Sequence, residues 1–166
     1  MPNLRIELAG AESLDEVRSL WLALHRHERA VAPSIPFTED EQSWRRRRAL
    51  YERALELGQG FLALAREDRT VVGYAFVLLD EGSDDTFRLG EQFAELYSLS
   101  VAHEWRRQGI GSRLLDFVDA ELASRSIHDW RVAVAIGNFD AQRLYERRGL
   151  QPAEIILYRF AARSAA

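Results

Sequence analysis

The sequence contains no cysteine. It therefore has no disulfide framework, no thiolate metal site and no cysteine nucleophile, and any chemistry depends on other side chains or on the backbone. A chain without thiols is compatible with a reducing compartment, where disulfides are rare. We therefore expect a cytoplasmic protein.

The sequence also lacks any apolar run long enough to span a membrane. Its N-terminal stretch, Met-Pro-Asn-Leu-Arg-Ile-Glu-Leu, has charged residues inside its first apolar run and no signal-peptide core. These two features predict a soluble protein with no membrane partner.

A large net charge is absent as well, since 22 basic residues face 26 acidic ones and the formal charge is −4. This balance favours a positively charged partner, such as an amine, over a nucleic acid. The run Arg45 to Arg48 is the one basic cluster, and acidic residues flank it, so we interpret it as a solvated helix face. We expect no nucleic-acid partner.

The histidines form no metal-ligand pattern. His25 and His27 are two positions apart and cannot share a helix face, while His103 and His128 have no ligand-type neighbours at a suitable spacing. We predict no metal site.

The chain has 166 residues, of which 47% are hydrophobic, and both values suit one globular domain. No internal repeat, low-complexity tract or long linker marks a boundary. We predict a single domain over residues 1–166.

Hydrophobic periodicity predicts strands that alternate with helices in the second half of the chain. Two helix starts have capping-box sequences, Ser13 with Glu16 and Thr38 with Glu41. The predicted strands are residues 4–8, 61–65, 71–79, 93–101, 130–136 and 155–160. The predicted helices are residues 13–30, 38–58, 109–124 and 139–148. This order predicts an α/β fold with a mixed, partly parallel central sheet and helices on both faces.

The most informative local feature is a glycine turn, Arg106-Arg107-Gln108-Gly109-Ile110-Gly111-Ser112, between a predicted strand and a predicted helix. Glycine lets a ligand approach the backbone closely, and the free N–H groups of the first helical turn favour an anion such as pyrophosphate. The two arginines add positive charge. Tight turns also use glycine for steric reasons alone, so the turn by itself is weak support for a ligand site.

Two other phosphate-binding folds fit this turn poorly. A dinucleotide-binding fold needs an early βαβ unit and a third glycine, and neither is present. A phosphate-loop NTPase needs Gly-Lys-Ser/Thr, which is also missing.

Taken together, two sequence blocks resemble the GNAT acetyltransferase superfamily. The first is Arg106-x-x-Gly109-x-Gly111 after a strand that ends at Leu99-Ser100-Val101. The second is Asn138-x-x-Ala141-x-x-x-Tyr145-x-x-x-Gly149-Leu150. The resemblance covers residues 93–160 and consists only of element order before them. It implies an acetyl-CoA-binding core over about 93–160 and acceptor-side helices over about 13–58, with residues 32–37 and 80–90 bordering the acceptor pocket.

The resemblance implies a cofactor site on a splayed, bulged strand at residues 94–101, where the pantetheine arm of acetyl-CoA completes the sheet. Leu99 and Val101 would contact the cofactor through their backbones, and Asn138 would hydrogen-bond the pantetheine. The residues that would surround the pyrophosphate are Arg106, Arg107, Gln108, Gly109, Ile110, Gly111 and Ser112. Asn138 is also a good helix N-cap, and Gly149 suits a left-handed helix end.

Acetyl transfer to an amine needs a proton acceptor, because an alkylamine with a pKa of about 10 is mostly protonated at neutral pH. It also needs a proton donor for the departing thiolate. By the resemblance, Tyr145 is the general acid, although an aromatic packing role would also explain it. Glu95 matches the base-bearing segment of histone acetyltransferases. It would instead be an exposed residue if it lay at the start of the strand, and other members release the proton through water.

The resemblance therefore implies an N-acetyltransferase that moves acetyl from acetyl-CoA to a primary amine of a small molecule or protein, by direct attack. The alternative is a catalytically silent CoA-binding sensor or scaffold. The sequence leaves the acceptor and the acyl chain length open, and a homodimer is compatible with the resemblance.

Overall fold

The computed structural model describes residues 3–82 and 88–161 of the chain. Its strands are β1 (Leu4–Ala9), β2 (Gly60–Glu67), β3 (Thr70–Glu81), β4 (Gln92–Val101) and β5 (Trp130–Arg131). Its helices are α1 (Arg18–Val31), α2 (Asp40–Glu56), α3 (Ile110–Ser124) and α4 (Phe139–Glu146). Short 3-10 segments, Ala11–Val17 and His103–Trp105, precede α1 and α3.

The strands form one mixed sheet in the order β1-β2-β3-β4-β5. The first four strands are antiparallel neighbours, and β5 runs parallel to β4. A tight turn at Asp68 and Arg69 joins β2 to β3, and Asp68 adopts a left-handed backbone with φ of 52°. The predicted mixed, partly parallel sheet is confirmed.

Two buried clusters lie on opposite faces of this sheet. One contains α3 with alternate residues of the strands, including Ala63 and Ala75, and we call its side the α3 face. The other contains α1 and α2 with the intervening residues, including Leu62 and Phe76, and we call its side the α1/α2 face. Residues 60–65 of β2 are all buried, as expected of a strand covered on both sides. The prediction of helices on both faces is confirmed.

Neither predicted capping box forms. Ser13 lies within the first 3-10 segment, whose N-cap is Gly10 without a side-chain cap bond. The Glu16 carboxylate instead accepts bonds from Arg66 at 2.6 and 2.8 Å. Helix α2 begins at Asp40, again without a side-chain cap. A guanidinium on β2, distant in sequence, competes successfully with the local backbone for Glu16.

The two C-terminal strand predictions are wrong in extent. Only Trp130 and Arg131 of the predicted strand 130–136 pair with β4, and residues 155–160 form no strand. Ile155, Ile156 and Leu157 are exposed, at 81%, 65% and 89%. An added strand needs a paired edge to extend, and a β5 of two residues offers almost none.

Candidate functional site

Strand β4 contains a bulge at Tyr97. Phe76 of β3 pairs with Ser98, and the next residue, Val77, pairs with Leu96, so Tyr97 is the extra residue. Leu96 packs on the α3 face, whereas Tyr97 packs on the α1/α2 face. Ser98 lies on that second face too, because it hydrogen-bonds Tyr51 of α2. The bulge therefore directs two consecutive side chains to the same face.

Beyond the bulge, the far edge of β4 has no strand partner among the described residues. The ladder with β5 consists of Ala94–Trp130 and Glu95–Arg131 only. The Ala102 N–H donates to Val72 of β3 at 2.9 Å. Because strand amides alternate in direction, the backbone groups of Leu99 and Val101 point away from β3, toward the open edge. Both residues predicted to meet a cofactor through their backbones thus lie along that edge.

The glycine turn leads directly from this strand into α3. Gly109 has a φ of 81° and is the N-cap of α3. The first bond of the helix runs from the Arg113 N–H to the Gly109 carbonyl at 3.0 Å, so the amides of residues 110–112 precede the helical ladder. No atom lies within 4 Å of where a Cβ of Gly109 would be. Glycine is required here by the backbone conformation, and the space above it is open.

The remaining side chains of the turn have distinct positions. Gln108 donates to the Glu104 carbonyl at 2.9 Å and closes the loop that precedes α3. Arg106 is exposed and donates to the Val101 carbonyl at 3.0 Å, so its guanidinium lies against the open edge of β4. Arg107 is exposed, with a φ of 58°, and the Ile110 side chain is buried in the core. Only the backbone of Ile110 can contact a ligand.

Helix α4 packs beside the first turn of α3. Its N-cap is Asn138, whose Oδ1 accepts from the Ala141 N–H at 3.2 Å, so the predicted capping role is confirmed. A Cβ on Gly111 would lie 4.0 Å from Cδ2 of Leu144. After α4, Gly149 has a φ of 88°, as predicted for a left-handed helix end. These contacts bring the glycine turn next to the helix that holds Tyr145.

Tyr145 is 8% exposed and belongs to the cluster on the α3 face. Burial of the phenol, and next the negative charge of Glu28 on α1, raise the pKa of Tyr145. The phenol is therefore protonated at neutral pH. Glu28 belongs to α1, which covers the opposite face of the sheet from the cluster that contains Tyr145.

Glu95 lies between Ala94 and Leu96, which face α3, so its side chain points to the α1/α2 face. Arg131 of β5 donates two bonds to its Oε2, at 3.0 and 2.8 Å. The side chain is 17% exposed. Glu95 is thus an ion-paired carboxylate at the first rungs of the β4–β5 ladder, and not an exposed residue.

Two charged residues of this region were missed at the level of sequence. Glu28 of α1 is partly buried, and burial raises the pKa of its carboxyl, although Arg47 and then His25 and His27 oppose the shift. Arg47 of α2 belongs to the basic run interpreted as a solvated face. Its guanidinium instead lies 3.9 Å from the ring centroid of Trp21 and 4.3 Å from that of Tyr97.

The interpretation of the basic run holds for part of it. Arg45 and Arg46 are exposed, and Arg48 pairs with Asp15 and with Glu52, each at 3.0 Å. The helical spacing of Trp44, Arg47 and Tyr51 was a usable signal, because residues three and four apart share a face. Two buried aromatic residues on that face predict a buried third member.

An open concavity of about 280 Å³ is lined by Pro33, Ser34, Ile35, Pro36, Phe160 and Ala161. It includes part of residues 32–37, and the role of that stretch as a border of the acceptor pocket stays a prediction. Of the second predicted border, residues 83–87 lie outside the described part of the chain.

Residues 3–82 and 88–161 contain no group of three or more His, Cys, Asp and Glu side chains that could hold a metal ion. None of their helices combines the length and the apolar character needed to cross a membrane.

The sequence profile of the Acetyltransferase (GNAT) family matches residues 18–150, which is most of the chain. The chain belongs to this family. The match includes both the glycine turn and α4, and it confirms the resemblance found in the sequence. No curated protein matches this GNAT chain in sequence.

Solved structures show the same fold at low sequence identity. A GCN5-related N-acetyltransferase from Ralstonia eutropha is 19% identical, with a TM-score of 0.79 over 96% of this chain and 100% of that one. A ribosomal-protein-alanine N-acetyltransferase from Brucella melitensis is 19% identical, with a TM-score of 0.67 over 95% and 99%. A predicted acetyltransferase with acetyl-CoA from Clostridium acetobutylicum is 15% identical, with a TM-score of 0.72 over 95% and 96%.

Proposed function

We propose that this GNAT protein is an N-acetyltransferase that transfers an acetyl group from acetyl-CoA to a primary amine of a small molecule or protein. The observation that supports it most is the open backbone edge of β4, which leads straight into the unbonded first-turn amides of α3. We further propose that residues 1–166 form one acetyltransferase domain.

The residues present fit acetyl-CoA as a ligand. Backbone groups of Leu99 and Val101 can pair with the amide groups of the pantetheine arm, as an added strand would. The amides of Gly109, Ile110, Gly111 and Ser112, with the positive end of the helix dipole, can bind the pyrophosphate. Arg106, Arg107 and Gln108 lie at the rim of that cradle. Asn138 uses Oδ1 for capping, so its Nδ2 is the group left for the pantetheine.

Acetyl-CoA supplies an acetyl group activated as a thioester: the amine nitrogen forms the C–N bond and loses a proton, while the C–S bond breaks and the sulfur gains one. Tyr145 can hold the proton that the sulfur receives, since its raised pKa keeps it protonated. Its place on α4, whose Leu144 lies next to Gly111 of the glycine turn, supports this role.

For the proton acceptor, two carboxylates border the site on the α1/α2 face. Glu95 remains the prediction from strand position, but its Oε2 already accepts two bonds from Arg131. The Glu28 carboxylate accepts no hydrogen bond within the described residues, and burial raises its pKa toward the range useful for a base.

The first experiment is calorimetric titration with acetyl-CoA of the wild type, Gly111→Glu and Gly111→Ala. Gly111 is better suited than Gly109, because the φ of 81° at Gly109 would strain any side chain there. We expect the wild type and Gly111→Ala to bind, and the new carboxylate of Gly111→Glu to weaken binding at least about tenfold by repulsion from the pyrophosphate.

Acceptor-dependent release of the CoA thiol, measured with a panel of primary amines, then tests turnover. Failure of the wild type to bind acetyl-CoA would refute the proposed function. Tight binding without release of thiol for any amine would identify the silent sensor or scaffold instead.

A further inference from the structure

Arg47 is enclosed by aromatic rings beside the β4 bulge. Its guanidinium lies 3.9 Å from the ring centroid of Trp21 on α1, 4.3 Å from that of Tyr97 on β4 and 5.7 Å from that of Tyr51 on α2. All three distances are within the range of cation–π attraction. Rings contributed by three separate elements therefore hold the guanidinium in one place.

In the described part of the chain, the rings leave one guanidinium nitrogen of Arg47 without a hydrogen-bond acceptor. Its Nη1 is buried and has no hydrogen-bond partner within the described residues. By contrast, the next residue, Arg48, donates hydrogen bonds to both Asp15 and Glu52. A buried guanidinium nitrogen without an acceptor is costly, so an acceptor that arrives with a ligand would be bound strongly.

A carboxylate lies in the same region. Arg47 and Glu28 act on each other through their charges, yet no ion pair within 4.0 Å joins them. Glu28 in turn acts on the phenol of Tyr145, the proposed acid. The charge of Glu28 is thus linked both to that of Arg47 and to the phenol of Tyr145.

We propose that Arg47 selects an acceptor that itself carries a carboxylate, a free amino acid, and that the guanidinium binds this carboxylate while the amine is acetylated. This inference rests on the proposed function and specifies the acceptor. A single guanidinium matches the one negative charge of a carboxylate better than the two charges of a phosphate. The aromatic rings fix the plane of the guanidinium, which suits bidentate pairing with a planar carboxylate.

The test compares each of the twenty common amino acids with its α-carboxamide, which keeps the amine and removes the carboxylate charge. Acetyl-CoA is the donor, and kcat/KM is measured from release of the CoA thiol. The proteins are the wild type, Arg47→Met, Arg47→Lys and, as a matched control, Arg46→Met, since Arg46 is an exposed neighbour on α2.

For amino acids that the wild type acetylates, Arg47→Met should lower the acid-to-amide ratio of kcat/KM about 10- to 100-fold, mainly through KM. Arg47→Lys should keep part of the preference, and Arg46→Met all of it. Because the ratio is taken within one protein, a folding defect or a difference in intrinsic amine reactivity cancels between variants. Amino acids should also raise the Tm of the CoA-bound wild type but not of CoA-bound Arg47→Met.

Several results would overturn the assignment. One is an unchanged ratio in Arg47→Met, which would make Arg47 a packing residue. Another is acetylation of simple amines, such as phenethylamine or spermidine, with no amino acid accepted; the proposed function would then stand and this inference would fail. Preference for O-phosphoethanolamine over every amino acid would show that Arg47 binds a phosphate group and not a carboxylate. Absence of acetyl-CoA binding would defeat both proposals together.

Discussion

The α3 face and the α1/α2 face of the sheet offer a ligand different chemical groups. Next to α3, the groups are main-chain amides and carbonyls of β4 and of residues 109–112, held by one glycine conformation. Under α1 and α2, they are side chains, Arg47 and Glu28, held by aromatic packing and burial. A backbone site tolerates many sequences, whereas a side-chain site changes its ligand with one substitution. The first arrangement suits a common cosubstrate and the second a particular acceptor.

Tyr145 belongs to the cluster on the α3 face, and Glu28 of α1 on the other face helps to raise its pKa. We expect its substitution to have the largest effect. Tyr145→Phe should lower kcat by about 10²- to 10⁴-fold, the usual contribution of a general acid, while the acetyl-CoA Kd stays constant. Phenylalanine preserves the packing, and no hydrogen bond within the described residues is lost. Tyr158→Phe is the control, because that ring is 66% exposed. An unaltered kcat would leave Tyr145 with a packing role only.

Substitutions of Glu28 and Glu95 test which carboxylate on the α1/α2 face accepts the proton of the amine. We expect Glu28→Gln to lower kcat/KM by about 10²-fold and Glu95→Gln by less than about tenfold, since Arg131 already occupies Glu95. Steady-state kinetics with one acceptor measures both. The reverse order of effects would assign the proton acceptor to Glu95, as predicted from the sequence.

The pH dependence gives these variants a second readout. Burial raises the pKa of Glu28, so the carboxyl takes up a proton at a higher pH than an ordinary glutamic acid, and activity that needs the carboxylate falls there. The pKa of Glu28 is higher in the folded than in the unfolded protein. The neutral carboxyl therefore stabilises the folded state at low pH, and this stabilisation is lost as pH rises through the folded pKa. Glu28→Gln should therefore raise the Tm at pH 8 and not at pH 4. Arg47, His25, His27 and Tyr145 are common to both proteins, so a Tm difference that did not vary with pH would count against a buried, perturbed Glu28.

Substitutions of Asn138 test whether ligand binding on the α3 face also depends on a side chain. Asn138→Ala should lower the free energy of unfolding by about 1 kcal/mol through loss of the cap, whereas Asn138→Ser should keep most of it. Urea denaturation measures this difference. If Nδ2 binds the pantetheine, both variants weaken acetyl-CoA binding in calorimetry. Normal affinity in the serine variant would restrict Asn138 to capping.

The smallest expected effect concerns the attachment of α4 to α3. Arg148 after α4 donates to Asp116 and Asp119 of α3, at 2.7 and 2.8 Å. Arg148→Met should lower the free energy of unfolding by about 0.5–1 kcal/mol, as partly exposed ion pairs do. Arg143→Met, whose partner Asp140 is almost fully exposed, should change it negligibly. Equal losses in the two variants would show that the link between the helices adds nothing.

Sequence reasoning succeeded where one short segment determines the structure. The start of α3 after Gly109 and the cap at Asn138 depend on local patterns, whereas the bulge in β4 was implied by the resemblance to the family. It failed where partners are far apart in the chain. Glu16 pairs with Arg66 and forms no capping box, and β5 is too short to pair with the strand predicted at 155–160. Arg47 and Glu28 escaped notice because their significance depends on contacts among α1, α2 and β4.

The extra residue in β4 has a consequence for the order in which ligands bind. The backbone of Tyr97 interrupts the ladder next to the open edge, while its ring forms one side of the enclosure around Arg47. A cosubstrate that pairs with the edge restrains the bulge, and with it the ring and the guanidinium. We therefore expect a sequential mechanism in which acetyl-CoA enters first and the acceptor binds well only to that complex. Dead-end inhibition by an unreactive acceptor analogue, competitive against the acceptor and uncompetitive against acetyl-CoA, would establish this order, and independent binding of the two substrates would exclude it.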